Sequence, residues 1–316
     1  MGDDVRVLYS EGCHLCKDRI QGLAEANDRM SEVRAVTDAS DVIIACMGLD
    51  ASLEGEEGDE GNEFASGDKP NLSLPGLQEE VLKEIVKSGK PVVLVLLSGS
   101  ALAVPFADDQ IPAILQGWYP GARGGKAIAE ILFGEFSPEG KLPVTFYRTT
   151  EELPDFKDYS MKNRTYRYMK NPALYPFGYG LSYTDFKLEN TEISDDTIEA
   201  GKSIGIKTTV KNTGDMDGAE TVQVYVKACM PEAPNFQLKA LKKVTLKPGE
   251  AKEITLSLRA EDFGLYNEEG VKILNSCDYE VYVGTNLPDE RSIELTGKEP
   301  EKFVIKNTGD AVRLPE

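Results

Sequence analysis

The 316-residue chain has one histidine, His14, and one tryptophan, Trp118. A single histidine, placed inside Cys13-His14-Leu15-Cys16, argues against hydrolases in which an imidazole activates a Ser or Cys nucleophile. Basic residues are scarce. There are 35 Lys and Arg against 54 Asp and Glu, which gives a formal charge of −19. Nucleic acids and anionic membranes are bound through basic faces, so neither is expected as a partner. No apolar run reaches the roughly 18 residues of a membrane span, and Pro91–Leu97 is only the length of a buried strand. The start, Met1-Gly-Asp-Asp, carries neither the basic nor the apolar region of a secretory signal. The cysteines are Cys13, Cys16, Cys46, Cys229 and Cys277. An odd, scattered set makes no disulfide framework and fits a reducing compartment, so a cytoplasmic location is expected.

Apolar content of 41% is ample for globular cores, and the length predicts about two domains. In the first half, strand and helix signals alternate. Val5–Tyr9 reads as a short strand. Asp41–Met47 and Pro91–Leu97 are continuous apolar runs, as in strands buried on both faces. Ile111–Trp118 reads as a further strand. Leu77–Val86 has apolar residues at 77, 81, 82, 85 and 86, a helical stripe that ends at Ser88-Gly89. Gly125–Phe133 reads as another helix, ended by Gly134. This order predicts a mostly parallel sheet with helices on its faces, over residues 1–146. Residues 147–185 are dense in Pro, Gly and aromatics and read as a packed connector. From Phe186 onward the pattern is all-β. Ile204–Val210, Glu220–Val226, Lys239–Leu246, Glu250–Leu258 and Asp278–Val283 are separated by turn signals such as Asn212-Thr-Gly214 and Pro248-Gly249. An immunoglobulin-like sandwich of the fibronectin type III kind is expected over 186–298, with 299–316 as a tail.

Residues Glu54–Glu63, EGEEGDEGNE, hold six carboxylates and no base. They follow the strand Asp41–Met47, at the sheet edge where ligand groups collect. A carboxyl crowded by like charges and partly covered by a neighbouring domain has a raised pKa and can act as a general acid. The same run is also compatible with a solvated loop or a weak calcium site. Cys13 and Cys16 have the spacing of a redox pair or half a zinc site, but no second such pair exists, and two ordinary thiols fit equally. Gly121-Ala-Arg-Gly124-Gly125-Lys126 lacks the leading Gly and the Ser/Thr of a phosphate loop, and Gly178-Tyr-Gly180 is no dinucleotide fingerprint. Both read as tight turns, and no motif calls for a cofactor or metal.

Taken in order, Gly48-Leu-Asp-Ala-Ser-Leu-Glu54, Leu74-Pro-Gly-Leu-Gln78, Gly89-Lys-Pro-Val-Val93, Gly99-Ser-Ala101, Trp118-Tyr-Pro-Gly121, Pro138-Glu-Gly-Lys-Leu-Pro-Val-Thr145, Arg164-Thr-Tyr-Arg-Tyr168 and Tyr175-Pro-Phe-Gly-Tyr-Gly-Leu-Ser-Tyr183 resemble the C-terminal region of glycoside hydrolase family 3, the β-glucosidase and β-xylosidase family. Asn212-Thr-Gly214, Val222-Gln-Val-Tyr225 and Pro248-Gly-Glu250 resemble its fibronectin-like domain.

The resemblance implies an α/β sandwich, incomplete at its N-terminus, followed by a fibronectin type III-like sandwich. It implies retaining hydrolysis of terminal β-linked glucose or xylose from oligosaccharides or glycosides. The acid/base then falls on Glu54, in Leu53-Glu54-Gly55, with an Asp nucleophile on a (β/α)8 barrel. The family's nucleophile lies in a Ser-Asp-Trp-like stretch, and the sole Trp118 follows Gln116-Gly117, so the barrel is expected in cis or trans and the chain alone is expected to be inactive. The family's Asp-Arg after this loop reads Asp68-Lys69, and Lys cannot reproduce a bidentate fork. A homo-oligomer is a further expectation, since a barrel-covered face would be apolar. The alternative is a non-catalytic carbohydrate-binding or scaffolding module that stacks sugars on Trp118, Tyr166, Tyr168 and Tyr179.

Overall fold

The computed structural model describes residues 5–18, 23–54, 69–231 and 233–315. The chain divides into two units. One comprises Met1–Ala129 with Phe146–Leu153, and the other comprises Glu130–Thr145 with Pro154–Glu316. The division is therefore not linear: residues 147–153 of the expected connector belong to the first unit and 154–185 to the second.

The first unit is built on three parallel strands, β1 (Ile43–Gly48), β2 (Val92–Leu97) and β3 (Ala113–Gln116), in that spatial order. The apolar run of β2 has the expected cause: it is the central strand, with Leu94 and Val95 fully buried. Helices α1 (Met30–Asp38), α2 (Gln78–Val86), α3 (Pro105–Gln110) and α4 (Gly124–Leu132) accompany the sheet. The α2 stripe buries Val81, Leu82 and Ile85. Gln78, at the start of this helix, is also buried. Its Nε2 donates to Gly48 O and Leu15 O, each at 2.7 Å, and its Oε1 accepts from Gly48 N at 2.7 Å. This clasp fixes the end of β1, where Gly48 is obligatory: φ is 140° and a Cβ would lie 1.9 Å from Leu97 O.

Val5–Tyr9 is not a strand. Val7 and Tyr9 are 72% and 81% exposed and nothing among the described residues pairs with them. β-branched residues form strands only where a neighbour supplies hydrogen bonds and a packing surface. Helix α1, not expected from the sequence, has only a weak stripe, burying Val33 and Thr37.

In the second unit, α5 (Thr165–Tyr168) precedes seven strands of a sandwich. One sheet runs β4 (Phe186–Ile193), β5 (Ser203–Asn212), β8 (Ala251–Arg259). The other runs β12 (Glu301–Lys306), β11 (Asp278–Gly284), β6 (Gly218–Ala228), β7 (Gln237–Leu246). All pairings within these two sheets are antiparallel. Alternate residues of both sheets, among them Ile206, Val210, Val224, Leu258, Val281 and Ile305, share one buried core. Helix α6 (Ala260–Phe263) adds Phe263 to that core. A small sheet of β9 (Leu265–Tyr266), β10 (Lys272–Leu274) and β13 (Val312–Arg313) and helix α7 (Glu290–Thr296) complete the unit. Residues 299–316, expected as a tail, thus supply two strands, β12 and β13, and Ile198 N donates to Lys306 O at 2.9 Å.

Of the two glycine clusters, Gly178-Tyr-Gly180 is a turn, whereas Gly121-Ala-Arg-Gly124-Gly125-Lys126 turns only at Gly121–Arg123 and continues from Gly124 as helix α4. Gly121 opens a short 3-10 turn at φ 70°. Gly178, at φ 79°, leaves no room for a side chain: a Cβ would lie 2.4 Å from Gln223 Oε1.

Candidate active site

Parallel strands end on the same edge, so the loops after β1, β2 and β3 leave the sheet side by side. Glu54 lies on the first of these loops, Gly99 and Ser100 on the second, Tyr119 on the third. The three meet at the Glu54 carboxylate. Oε2 accepts from Gly99 N at 2.6 Å and from the Tyr119 hydroxyl, and Oε1 accepts from the Ser100 hydroxyl. Lys69 Nζ stands 4.0 Å from Oε1 and donates to Ala101 O at 3.1 Å. Glu54 and Lys69 side chains are 14% and 11% exposed.

Local backbone explains how the groups come so close. A Cβ on Gly99 would lie 2.8 Å from both Glu54 Oε2 and the Tyr119 ring. Trp118, just before Tyr119, is held at φ 53°, a conformation rare for a bulky residue. Its ring packs edge-on against Phe146 at 6.2 Å, and Phe146 is buried. Ser98 Oγ donates to Ser100 O at 2.7 Å, which fixes the turn after β2.

The electrostatics reverse the sequence-based expectation of a raised pKa. Burial does push the Glu54 carboxyl up. The Ser100 and Tyr119 hydroxyls, the Gly99 N–H and the Lys69 charge together outweigh it, and the net shift is downward. The Gly99 N–H and the Lys69 ammonium are donors only, so both interact more strongly with the ionised carboxyl than with the protonated one. Tyr119 is pushed up, by burial and by donation to Glu54. Lys69 is pushed down by burial, against the pull of Glu54. Lys69 pairs as a point charge with one carboxylate oxygen and donates to one carbonyl.

In the sequence, Ser100, Gly99 and Tyr119 stand out only as parts of family motifs. Their signal as site residues is positional: each comes directly after a β-strand run. The other carboxylates of the acidic run, Glu56, Glu57, Asp59, Glu60 and Glu63, lie outside the described residues, as does Asp68. Among the described residues, no three His, Cys, Asp or Glu side chains are grouped to hold a metal ion. Burial and Glu11 push the Cys13 thiol up to about 11, far from a reactive thiolate. His14 Nδ1 accepts from Cys16 N and Lys17 N, each at 3.1 Å, a local turn. The candidate sugar-stacking rings pack inside their own units: Tyr166 on Phe177 at 4.3 Å and Tyr179 on Tyr175 at 5.8 Å.

The glycosyl hydrolase family 3 C-terminal domain model matches residues 9–183, and a fibronectin type III-like domain model matches residues 220–287. The chain belongs to glycoside hydrolase family 3. Among its family 3 relatives, the xylan 1,4-β-xylosidase of Xylanibacter ruminicola is 38% identical over 281 residues, 88% of this chain but 32% of that protein. The periplasmic β-glucosidase of Salmonella typhimurium is 30% identical over 313 residues, covering 90% of this chain and 40% of that one. The β-glucosidase structure from Erythrobacter marinus superposes with a TM-score of 0.77 at 29% identity, over 96% of this chain and 41% of its own. The Listeria innocua β-glucosidase, solved with gluconolactone, gives 0.72 at 29% identity, over 93% and 40%. The chain thus spans about a third to two-fifths of the length of these relatives.

Proposed function

We propose that this chain is the acid/base-bearing part of a retaining β-glycosidase that releases terminal xylose or glucose, and that its nucleophile Asp is supplied by a barrel in cis or trans. Support comes from the relatives, named β-xylosidase and β-glucosidase, and from the Glu54 carboxylate held at the C-terminal edge of the sheet. In such a reaction one carboxyl protonates the departing glycosidic oxygen while the nucleophile attacks. It then acts as base toward water in the second step.

The observation that carries the assignment of roles is the set of three hydrogen-bond donors around Glu54, with the Lys69 ammonium 4.0 Å away. A general acid must hold its proton at working pH. Glu54 already accepts from Gly99 N, Ser100 and Tyr119, so the role proposed for it is to position: it ties the loop after β1 to the loops after β2 and β3. On that reading the proton donor is Glu56 or Glu57, the carboxyls nearest to Glu54 in the sequence. The reading expected from sequence, with Glu54 itself as the acid, requires the hydroxyls of Ser100 and Tyr119 to turn away when substrate binds.

The two readings separate by leaving group. Glu54→Gln, Glu56→Gln and Glu57→Gln are assayed in the chain combined with a family 3 barrel, on dinitrophenyl and alkyl β-xylosides and β-glucosides. Loss of the acid abolishes alkyl-glycoside cleavage, spares the dinitrophenyl substrate and is rescued by azide. That signature is expected at Glu56 or Glu57. Glu54→Gln is expected to slow both substrates alike. The acid signature at Glu54 would restore the simpler assignment.

A further inference from the structure

In an acidic chain, three cations gather in the second unit with little to neutralise them. Arg167, on α5, donates from Nη2 to the buried Gln237 Oε1 at 2.6 Å. Its Nε is buried and meets no acceptor among the described residues. Lys239 stands two residues beyond Gln237. Val224 pairs with Ala240 and Tyr225 with Leu238, so Lys239 is the extra residue of a β-bulge in β7. Bulges re-aim the side chain they carry, and they recur beside ligand sites. The Lys239 ammonium forms no ion pair or hydrogen bond among the described residues.

The groups that act on Lys239 are Lys272, Arg167 and Asp262. Burial, then the charges of Lys272 and Arg167, push its ammonium down to about 8, and only Asp262 pulls the other way. Asp262 is already engaged, accepting from Arg259 N at 2.8 Å. Lys272, on β10, packs its stem against Gly264 and holds its ammonium 5.8 Å from the Tyr266 ring centre, and that ring is 69% exposed. Buried cations are ordinarily paired. Here a bulge, a guanidinium nitrogen without an acceptor and two ammonium groups without a hydrogen bond or ion pair among the described residues coincide.

We propose that Arg167, Lys239 and Lys272 form a binding site for a small oxyanion, a carboxylate or sulfate, supplied free or on a sugar acid. The site lies within the second unit and does not depend on the role assigned to Glu54. An anion there satisfies Arg167 Nε and neutralises Lys239, and Tyr266 offers a ring face to a sugar that carries the charge.

The test labels the lysines of the full chain by reductive methylation with ¹³C-formaldehyde and follows the Lys239 resonance, assigned with Lys239→Met, against pH and added salt at constant ionic strength. Sulfate, glucuronate, glucose and chloride are compared. A saturable shift with sulfate or glucuronate is expected, with the Lys239 pKa rising as the anion binds, and no response to glucose or chloride. Saturation by both anions identifies a general oxyanion site. Saturation by glucuronate alone identifies a sugar acid. Isothermal titration on Lys239→Met and Arg167→Lys then reads the affinity directly; loss of one charge-assisted bond is expected to weaken it by about tenfold or more. Lys239→Met removes a half-buried charge and is expected to stay folded, checked by unchanged Ile305 and Tyr225 core signals. No saturable response beyond chloride, or unchanged affinity in a folded Lys239→Met, overturns the proposal.

Discussion

At the residue scale, Glu54 shows how hydrogen bonds decide a pKa that burial alone would raise. The sequence placed the carboxylate correctly, at the edge of a parallel sheet after β1. It could not show the direction of the shift, because that depends on Ser100 and Tyr119, which are 46 and 65 residues away. A composition reading counts the like charges of the acidic run and predicts a raised pKa. The fold brings donors instead. The consequence for stability has a definite sign. The folded pKa lies below the ordinary 4.5, so the stabilisation is fully present above pH 4.5 and is lost as pH falls through the folded value. Glu54→Gln is therefore expected to destabilise the chain by about 2 kcal/mol at pH 7, since hydrogen bonds to a charged group exceed neutral ones. The gap between wild type and variant is expected to shrink below pH 4.5. Urea unfolding at pH 7, 5 and 3.5 measures it, and a gap that is constant with pH contradicts the ionised cluster.

At the element scale, legibility followed periodicity. The alternation in β5 and β6 and the stripe of α2 could be read because each buries one face. Val5–Tyr9 could not, since its β-branched residues find no partner strand among the described residues. Strand β12 was hidden for the opposite reason. It lies at the edge of its sheet and buries only Ile305, with Phe303 partly covered, so Glu301–Lys306 reads as a charged tail. Helix α7 is short, yet it carries local signals at both ends: Asp289 accepts from Ser292 N at 2.8 Å and Gly297 ends the helix at φ 66°. Ile305 is fully buried in the sandwich core, so Ile305→Ala is expected to lower stability by about 3 kcal/mol and Lys306→Ala by little. Thermal unfolding followed by circular dichroism compares the two. Equal, small effects would mean that 299–316 is dispensable.

At the scale of the whole molecule, β1 is an edge of the first unit's sheet among the described residues, with Val42 and Ile44 at 55% and 45% exposure beside it. Exposed apolar edges recruit other strands. Light scattering is expected to show association that grows with concentration and that Ile44→Lys reduces; a monomer at all concentrations contradicts this. The family relation was legible because ordered motifs run through both units, whereas the glycone was not, because the chain spans only about a third to two-fifths of its relatives. The most direct measurement is hydrolysis of nitrophenyl β-xyloside and β-glucoside by this chain alone, by a separately expressed family 3 barrel alone, and by the two mixed. Activity in the mixture only, with the faster substrate naming the glycone, is the expected result. Hydrolysis by the chain alone, or no gain when the barrel is added and shown to bind, would contradict it.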